Sequence, residues 1–169
     1  LGVGATFHFS IPVYSHAEFE CIHQPEPPKK SIIRLKDRDL NMLIVEDNSV
    51  NAKLLAAMLQ KTGYSCDIAR SSTECIEYMG NRQYDVIFMD LNMPDMDGFE
   101  LTARIREQES NSDKANAQQS IVIAVTAWTM TGMKERCLEA GMNGYLSKPV
   151  IRDELNNMIE DLCGEVPRL

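Results

Sequence analysis

Short apolar runs alternate with amphipathic stretches from about residue 41 onward. The apolar runs are candidate strands, and they fall at residues 42–45, 65–69, 85–89, 121–125 and 145–146. A parallel sheet covered by helices produces this alternation in a sequence. The pattern therefore predicts an α/β fold with five β–α units, in which a helix follows each strand.

The stretches between the candidate strands have the period of amphipathic helices. We predict that the first helix buries a face made of Val50, Leu54, Ala57 and Met58. The last helix is predicted to bury Leu155, Met158, Ile159 and Leu162. Ser71 and Glu74 have the spacing of a capping box, which places the start of the second helix.

The first thirty residues have a different pattern. Residues 4–13 alternate apolar and small or polar side chains, which predicts one half-buried strand with Pro12 at its end or at a sheet edge. The following segment Q24-P-E-P-P-K-K30 contains three prolines and is typical of an extended linker. Because one strand beyond a linker cannot form a domain, residues 7–13 are expected either to be disordered or to pack on another copy or on the main domain.

The composition of the chain indicates which kinds of partner and which cellular location to expect. The chain has 25 acidic and 17 basic residues and a net charge of −8, which argues against nucleic acid as a partner. It shows neither an apolar run of the roughly 18 residues that span a bilayer nor a secretion signal. Five cysteines without a C-x-x-C pair indicate reduced thiols. We expect a cytoplasmic domain with no membrane contact from this segment.

Polar residues stand at the carboxyl ends of four predicted strands. In chain order they are Glu46, Asp47, Asp90, Thr126, Ser147 and Lys148. Ligands of open parallel sheets bind at this edge, so these side chains are expected to converge. Three carboxylates at one place repel each other unless a cation intervenes, and Mg²⁺ is the cation that best suits oxygen ligands and phosphoryl transfer.

Within such a site, Asp90 is the candidate nucleophile because an aspartate can form an acyl phosphate. Lys148 would hold a phosphoryl oxygen, and the Thr126 hydroxyl could donate to another. Each residue also has a simpler interpretation, with Thr126 as a helix cap and Lys148 as a solvated charge. Asp95 and Asp97 are interpreted as loop residues before Gly98 rather than as ligands. The joint occurrence at four strand ends favours the chemical interpretation.

Four motifs resemble those of response-regulator receiver domains, in the same order and spacing. They are M42-L-I-V-E-D-N48, V86-I-F-M-D-L-N-M-P-D-M-D-G98, V125-T-A127 and G144-Y-L-S-K-P149. The resemblance covers residues 41–164. It implies a doubly wound five-stranded sheet in the order 2-1-3-4-5 and a cis bond between Lys148 and Pro149.

The same resemblance implies a set of site residues. Asp90 would be phosphorylated, and Mg²⁺ would be held by Asp47, Asp90 and the backbone carbonyl of Asn92, with Glu46 reaching it through water. Thr126 and Tyr145 would form the switch pair that alters the surface near the fourth helix. An ordinary half-buried aromatic residue is the alternative interpretation of Tyr145.

Trp128 departs from the family pattern. It stands two residues after Thr126, where the family more often has a smaller or polar residue. Our hypothesis is that Trp128 shields the acyl phosphate from water and slows its hydrolysis.

The first thirteen residues resemble the closing strand of the ATP-binding domain of sensor histidine kinases. Gly2 and Gly4 cannot bind a nucleotide without the rest of that domain. This order of segments is that of hybrid histidine kinases. We therefore predict a kinase remnant at 1–20, a linker at 21–40, a receiver domain at 41–164 and a tail at 165–169.

The predicted function is to accept a phosphoryl group from a phosphohistidine on Asp90 and to pass it to a histidine phosphotransfer domain or lose it to water. Such a domain turns over no free substrate in the usual enzymatic sense. Two alternatives are a phosphorylation-independent interaction module and a small aspartate-nucleophile phosphatase. The phosphatase is disfavoured because those enzymes usually carry a second aspartate two residues after the nucleophile, where this chain has Asn92.

Overall fold

The structure, a computed structural model, describes residues 40–111, 119–127 and 132–164. It contains five strands: β1 (Met42–Val45), β2 (Cys66–Ala69), β3 (Val86–Asp90), β4 (Ile121–Thr126) and β5 (Gly144–Ser147). Five helices alternate with them: α1 (Ser49–Thr62), α2 (Ser72–Asn81), α3 (Gly98–Asn111), α4 (Met133–Glu139) and α5 (Arg152–Gly164). The predicted alternation of strands and helices is confirmed, with strand ends that differ by at most one residue.

The strands form one parallel sheet in the order β2-β1-β3-β4-β5, as predicted. In its register, Val45 pairs with Met89, Asp90 with Val125, and Thr126 with Ser147. The carboxyl ends of β1, β3, β4 and β5 are therefore nearly level. This register positions the polar residues that follow the strands at a common edge.

Side chains that alternate along each strand divide the core into two layers. Ile44 and Phe88 lie in the layer covered by α1 and α5, while their neighbours Val45 and Met89 lie in the layer covered by α2, α3 and α4. All four side chains are fully or almost fully buried. Because both sheet faces are covered, the strands are apolar on both sides, which is why they appear as continuous apolar runs.

The predicted buried face of α1 is wrong. The helix buries Ala52, Leu55 and Leu59, whereas Val50 and Leu54 are 70% and 51% exposed. Apolar residues occupy eight of the fourteen positions of α1, so the sequence offers more than one apolar stripe. Packing against the sheet and α5 selects one stripe and leaves the other in solvent.

Other local predictions are confirmed. The Ser71 side chain caps α2 by accepting from the backbone N–H of Glu74. Leu155 and Ile159 of α5 are fully buried, and Met158 and Leu162 pack beside them. The Lys148–Pro149 bond is cis. No helix of the described ranges is long and apolar enough to span a membrane.

Candidate functional site

The carboxyl edge of the sheet brings three carboxylates together. Glu46, Asp47 and Asp90 each offer an oxygen, and these oxygens lie within 4.8 Å of one another. Glu46 and Asp90 are 5% and 4% exposed, while Asp47 faces solvent. The sequence prediction of an acidic cluster at this edge is therefore confirmed in its geometry.

Asp90 is the last residue of the buried strand β3, and both of its carboxylate oxygens have donors. Oδ1 accepts a hydrogen bond from the backbone N–H of Asn92 at 3.0 Å, and Oδ2 accepts one from Lys148 Nζ at 2.8 Å. These contacts hold the carboxylate in one orientation at the mouth of the site.

Lys148 bridges two carboxylates. Its Nζ lies 2.8 Å from Asp90 Oδ2 and 2.6 Å from Glu46 Oε2. Burial alone would lower the pKa of Lys148, but the hydrogen bonds to Asp90 and Glu46 outweigh it, so the pKa is raised. The backbone N–H of Lys148 also donates to the carbonyl oxygen of Thr126 at 2.7 Å, which fixes the residue against β4. Lys148 is therefore a charged ammonium at neutral pH.

Glu46 lies on the other side of Lys148. Burial raises the pKa of this carboxyl group and repulsion from Asp90 adds to the effect, while hydrogen bonds from Lys148 and Asn51 oppose it. The Asn51 side-chain amide donates to Glu46 Oε1 at 3.0 Å. Glu46 thus keeps its position through partners on both oxygens.

The donor set fits a divalent cation. Three carboxylates against one ammonium leave two formal negative charges at the site, which a doubly charged ion would neutralise. All of the available groups are oxygens, the ligands that Mg²⁺ and Ca²⁺ prefer. Asn92 is exposed and follows Asp90 by two residues, so its backbone lies at the same edge. Among the residues that the structure describes, Glu46, Asp47 and Asp90 are therefore the group that could hold a metal.

Thr126 and Tyr145, predicted as the switch pair, lie on the two strands beyond Asp90. Thr126 ends β4 and is fully buried, and Tyr145 in β5 is partly buried against the core layer that contains α4. Their positions agree with the prediction, and their role in switching stays a prediction. Trp128 lies outside the described residues.

The loop between β3 and α3 is fixed by its aspartates. Asp95 Oδ2 accepts from the backbone N–H and the hydroxyl of Ser72, at 2.9 Å and 2.6 Å, and Asp97 Oδ1 accepts from the backbone N–H of Glu100 at 2.8 Å. Neither aspartate belongs to the acidic cluster. This agrees with their interpretation as loop residues.

Besides the contact of Lys148 with Glu46, sequence reasoning missed two polar contacts around the site. One is the hydrogen bond from Asn51 to Glu46, and the other is the link between Ser72 and Asp95. The only sequence signal for Asn51 is its place in the first turn of a helix that follows directly after Glu46 and Asp47. Ser72 gives no local signal because its partner is 23 residues away.

Comparison with known proteins gives a consistent result. The family model described as the response regulator receiver domain matches residues 42–160. The chain is 39% identical over 114 residues to hybrid signal transduction histidine kinase B of Dictyostelium discoideum. That match covers 64% of this chain and only 6% of the kinase.

Two solved structures extend the comparison. One is the complex of the Saccharomyces cerevisiae histidine phosphotransfer protein Ypd1 with the receiver domain of the response regulator Ssk1. The match has a TM-score of 0.67 and 31% identity, and covers 76% of this chain and 92% of the other. The second is the receiver domain of sensor histidine kinase PA1611 of Pseudomonas aeruginosa, with a magnesium ion coordinated in its active site cleft. Here the TM-score is 0.64 and the identity 34%, with 76% of this chain and all of the other covered.

Proposed function

The chain belongs to the response regulator receiver domain family of two-component systems, and from this premise we propose that it accepts a phosphoryl group from a phosphohistidine on Asp90. The observation that carries the proposal is the position of Lys148, whose Nζ contacts both Asp90 and Glu46 at the strand-end cluster. The site therefore combines the Asp90 carboxylate as nucleophile, the Lys148 ammonium and the two further carboxylates of Glu46 and Asp47.

The proposed step is a transfer from nitrogen to oxygen. A carboxylate oxygen of Asp90 forms a bond to phosphorus while the P–N bond of the phosphohistidine breaks, and the electron pair of that bond stays on the imidazole nitrogen. Lys148 then donates a hydrogen bond to a phosphoryl oxygen, and Thr126 donates one from its hydroxyl. Since Lys148 is already held beside Asp90, little reorganisation is needed.

We further propose that Asp47, Asp90 and the Asn92 carbonyl hold Mg²⁺, with Glu46 binding it through water. When bound, the ion would supply positive charge that offsets the negative charge of the transferring phosphoryl group. The cluster of three carboxylates with one ammonium supports this assignment, and so does the magnesium ion in the PA1611 receiver.

The test is intact-mass analysis after incubation with phosphoramidate, with and without Mg²⁺. The wild type is expected to gain one phosphoryl group only with Mg²⁺, and Asp90→Asn to gain none. Asp97→Asn is the matched control, because asparagine caps a helix as well as aspartate does and Asp97 lies outside the cluster. Equal labelling of Asp90→Asn and the wild type would show that another residue is the acceptor.

The phosphotransfer partner is proposed to dock beside the site. Val50, Leu54 and Ile151 are large apolar residues that are 70%, 51% and 54% exposed. Val50 and Leu54 lie in the first two turns of α1, directly after Glu46 and Asp47, and Ile151 follows Lys148 by three residues. Because α1 and α5 cover the same sheet face, we expect these exposed side chains to lie at the edge of the site on that face. Such a surface suits an apolar helical partner that delivers a phosphohistidine.

A pair of matched variants tests this surface. Leu54→Arg on α1 is expected to slow transfer from phosphorylated Ypd1, used as an available phosphotransfer protein, by roughly tenfold, the cost of about 1.4 kcal/mol of lost contact. Leu138→Arg on α4, where the leucine is also 51% exposed, is the control and should have no such effect. Both should react with phosphoramidate at the wild-type rate. If both leucine variants lose transfer equally, the docking surface is not on α1.

We also propose that this receiver is part of a hybrid histidine kinase in the cytoplasm. The similarity of residues 1–13 to a kinase strand and the match to a hybrid kinase support this assignment. Residues 1–20 would then be a kinase segment, 21–40 a linker and 41–164 the receiver, with self-association through residues 7–13 as a further expectation. Sedimentation of the full chain beside a chain that starts at residue 34 measures that association. Residues 1–39 and 165–169 lie outside the described ranges.

A further inference from the structure

Glu46 is held at three points. Its backbone N–H donates to the carbonyl oxygen of Ala69 in β2 at 3.0 Å, and its Oε2 lies 2.6 Å from Lys148 Nζ. Its Oε1 accepts from the Asn51 amide at 3.0 Å. The first two contacts hold the backbone and Oε2, and among the described residues the Asn51 amide is the donor to Oε1.

The start of α1 positions Asn51. The Asn48 side chain caps the helix by accepting from the backbone N–H groups of Val50 and Asn51, at 2.9 Å and 3.3 Å. Asn51 is therefore in the first turn, where the helix follows directly after the strand end that carries Glu46. Asn51 is partly buried, while its neighbour Val50 is exposed. Two asparagines at a spacing of three thus form a unit, one fixing the turn and the other reaching the carboxylate.

The chemistry of an amide suits this position. Only the NH₂ end of the side chain can face a carboxylate oxygen favourably, so the hydrogen bond assigns the amide orientation. A lysine or arginine here would also donate a hydrogen bond, but its charge would cancel that of Glu46 and repel a metal ion. Asparagine orients the carboxylate and leaves its negative charge available.

We propose that Asn51 is a positioning residue for the metal, acting through Glu46. By holding Oε1, it fixes the plane of the carboxylate, whose Oε2 contacts Lys148 Nζ within the cluster of Glu46, Asp47 and Asp90. The inference rests on the proposed Mg²⁺ site and names the residue that prepares one of its carboxylates. Residues that orient metal ligands through hydrogen bonds typically change metal affinity by about 10- to 100-fold when they are replaced, and the lower end applies here because Glu46 is proposed to reach the ion through water.

The test measures Mg²⁺ binding by isothermal titration calorimetry, independently of phosphorylation. Asn51→Leu keeps the approximate shape of the side chain and has a higher helix propensity, but it lacks the donor. Asn51→Ala is a second variant in case leucine disturbs packing. Gln60→Leu removes a side-chain amide from an exposed position of the same helix and is the matched control.

Both Asn51 variants are expected to bind Mg²⁺ about tenfold more weakly, and Gln60→Leu to bind like the wild type. In phosphoramidate reactions, the Mg²⁺ concentration for half-maximal rate should rise by the same factor while the rate at saturating Mg²⁺ stays unchanged. A merely structural role would instead lower the saturating rate or the stability without moving the half-maximal concentration.

Wild-type affinity in both Asn51 variants would overturn the inference and leave the proposed function intact. A fall in the saturating rate with no change in Mg²⁺ affinity would also overturn it. If the wild type itself binds no Mg²⁺, the proposed metal site is wrong and the role of Asn51 fails with it. The first two results concern the Asn51 variants, whereas the third concerns the wild type, so failure of the inference and failure of the metal site are distinguishable.

Discussion

Gly98 packs closely against the backbone at the end of β3. It is the first residue of α3, and its backbone N–H donates to the carbonyl oxygen of Leu91 at 3.2 Å. A Cβ atom added to Gly98 would lie 2.4 Å from the carbonyl oxygen of Asp90 and 2.9 Å from the Cα of Leu91. Both atoms belong to the backbone at the end of β3, so no side-chain rotation relieves the contact. We predict that Gly98→Ala displaces the strand end that carries Asp90.

The size of the effect follows from these distances. To reach even 3.0 Å, α3 and the end of β3 must separate by about 0.6 Å. Overpacking of a well-packed interior costs about 1–3 kcal/mol. The preference of alanine over glycine in a helix returns at most about 1 kcal/mol. Because the clash is with backbone, we take the upper part of this range, a net loss of about 2 kcal/mol in the free energy of unfolding.

The assay is urea unfolding followed by circular dichroism. With a denaturant dependence of about 1–3 kcal/mol per molar urea, Gly98→Ala is expected to lower the midpoint by about 1 M. Gly80→Ala is the matched control, since Gly80 lies inside α2 and its Cβ would have no described heavy atom within 4 Å. That variant should gain about 0.5–1 kcal/mol.

Phosphorylation gives a second readout for Gly98→Ala. A displacement of the Asp90 carboxylate relative to Lys148 Nζ, now 2.8 Å away, should slow reaction with phosphoramidate by about tenfold or more, since misplacement by about 1 Å can cost 100-fold. A Gly98→Ala protein with the midpoint and rate of the wild type, beside a stabilised Gly80→Ala, would refute the reasoning from close approach.

Three further predictions concern the pH dependence of stability and the lifetime of the phosphoryl group. The hydrogen bonds from Ser72 lower the pKa of Asp95, so its contribution to stability, which is small because the side chain is exposed, should be complete above pH 3.8 and disappear as pH falls below it; urea unfolding of the wild type and Asp95→Asn checks this. Burial, with the hydrogen bond to Asp67, raises the pKa of Tyr84 from 10.0 to about 12. Its contribution should therefore be complete below pH 10 and lost toward pH 12, and this loss should be absent in Tyr84→Phe. Trp128→Ala should shorten the phosphoryl lifetime, and an unchanged lifetime would contradict shielding by Trp128.

The sequence predicted the fold because its strands are buried on both faces. Continuous apolar runs at 42–45 and 86–89 have few alternatives to central parallel strands, and the helical stretches between them require crossover connections. The strand order itself came from the family resemblance rather than from the apolar pattern. Periodicity alone does not state which strands are neighbours.

The acidic cluster could also be predicted, for a topological reason. Residues that directly follow parallel strands must meet at the same sheet edge, so Glu46, Asp47, Asp90 and Lys148 were expected to converge. The sequence could not give the bridging position of Lys148 between Glu46 and Asp90. That contact depends on the path of the chain after β5, which is fixed by the hydrogen bond from the Lys148 backbone to Thr126.

By itself, then, the sequence determined the identity and approximate limits of the elements, the edge where the chemistry lies and the residue types available there. Only the tertiary structure decided which stripe of α1 is buried, because the helix has apolar residues on several sides and the sheet accepts one. The structure also decided the partner of Asn51 and the need for glycine at position 98. Both depend on distances of a few ångströms between segments that pack together, and the pattern of residue types along a chain does not contain those distances.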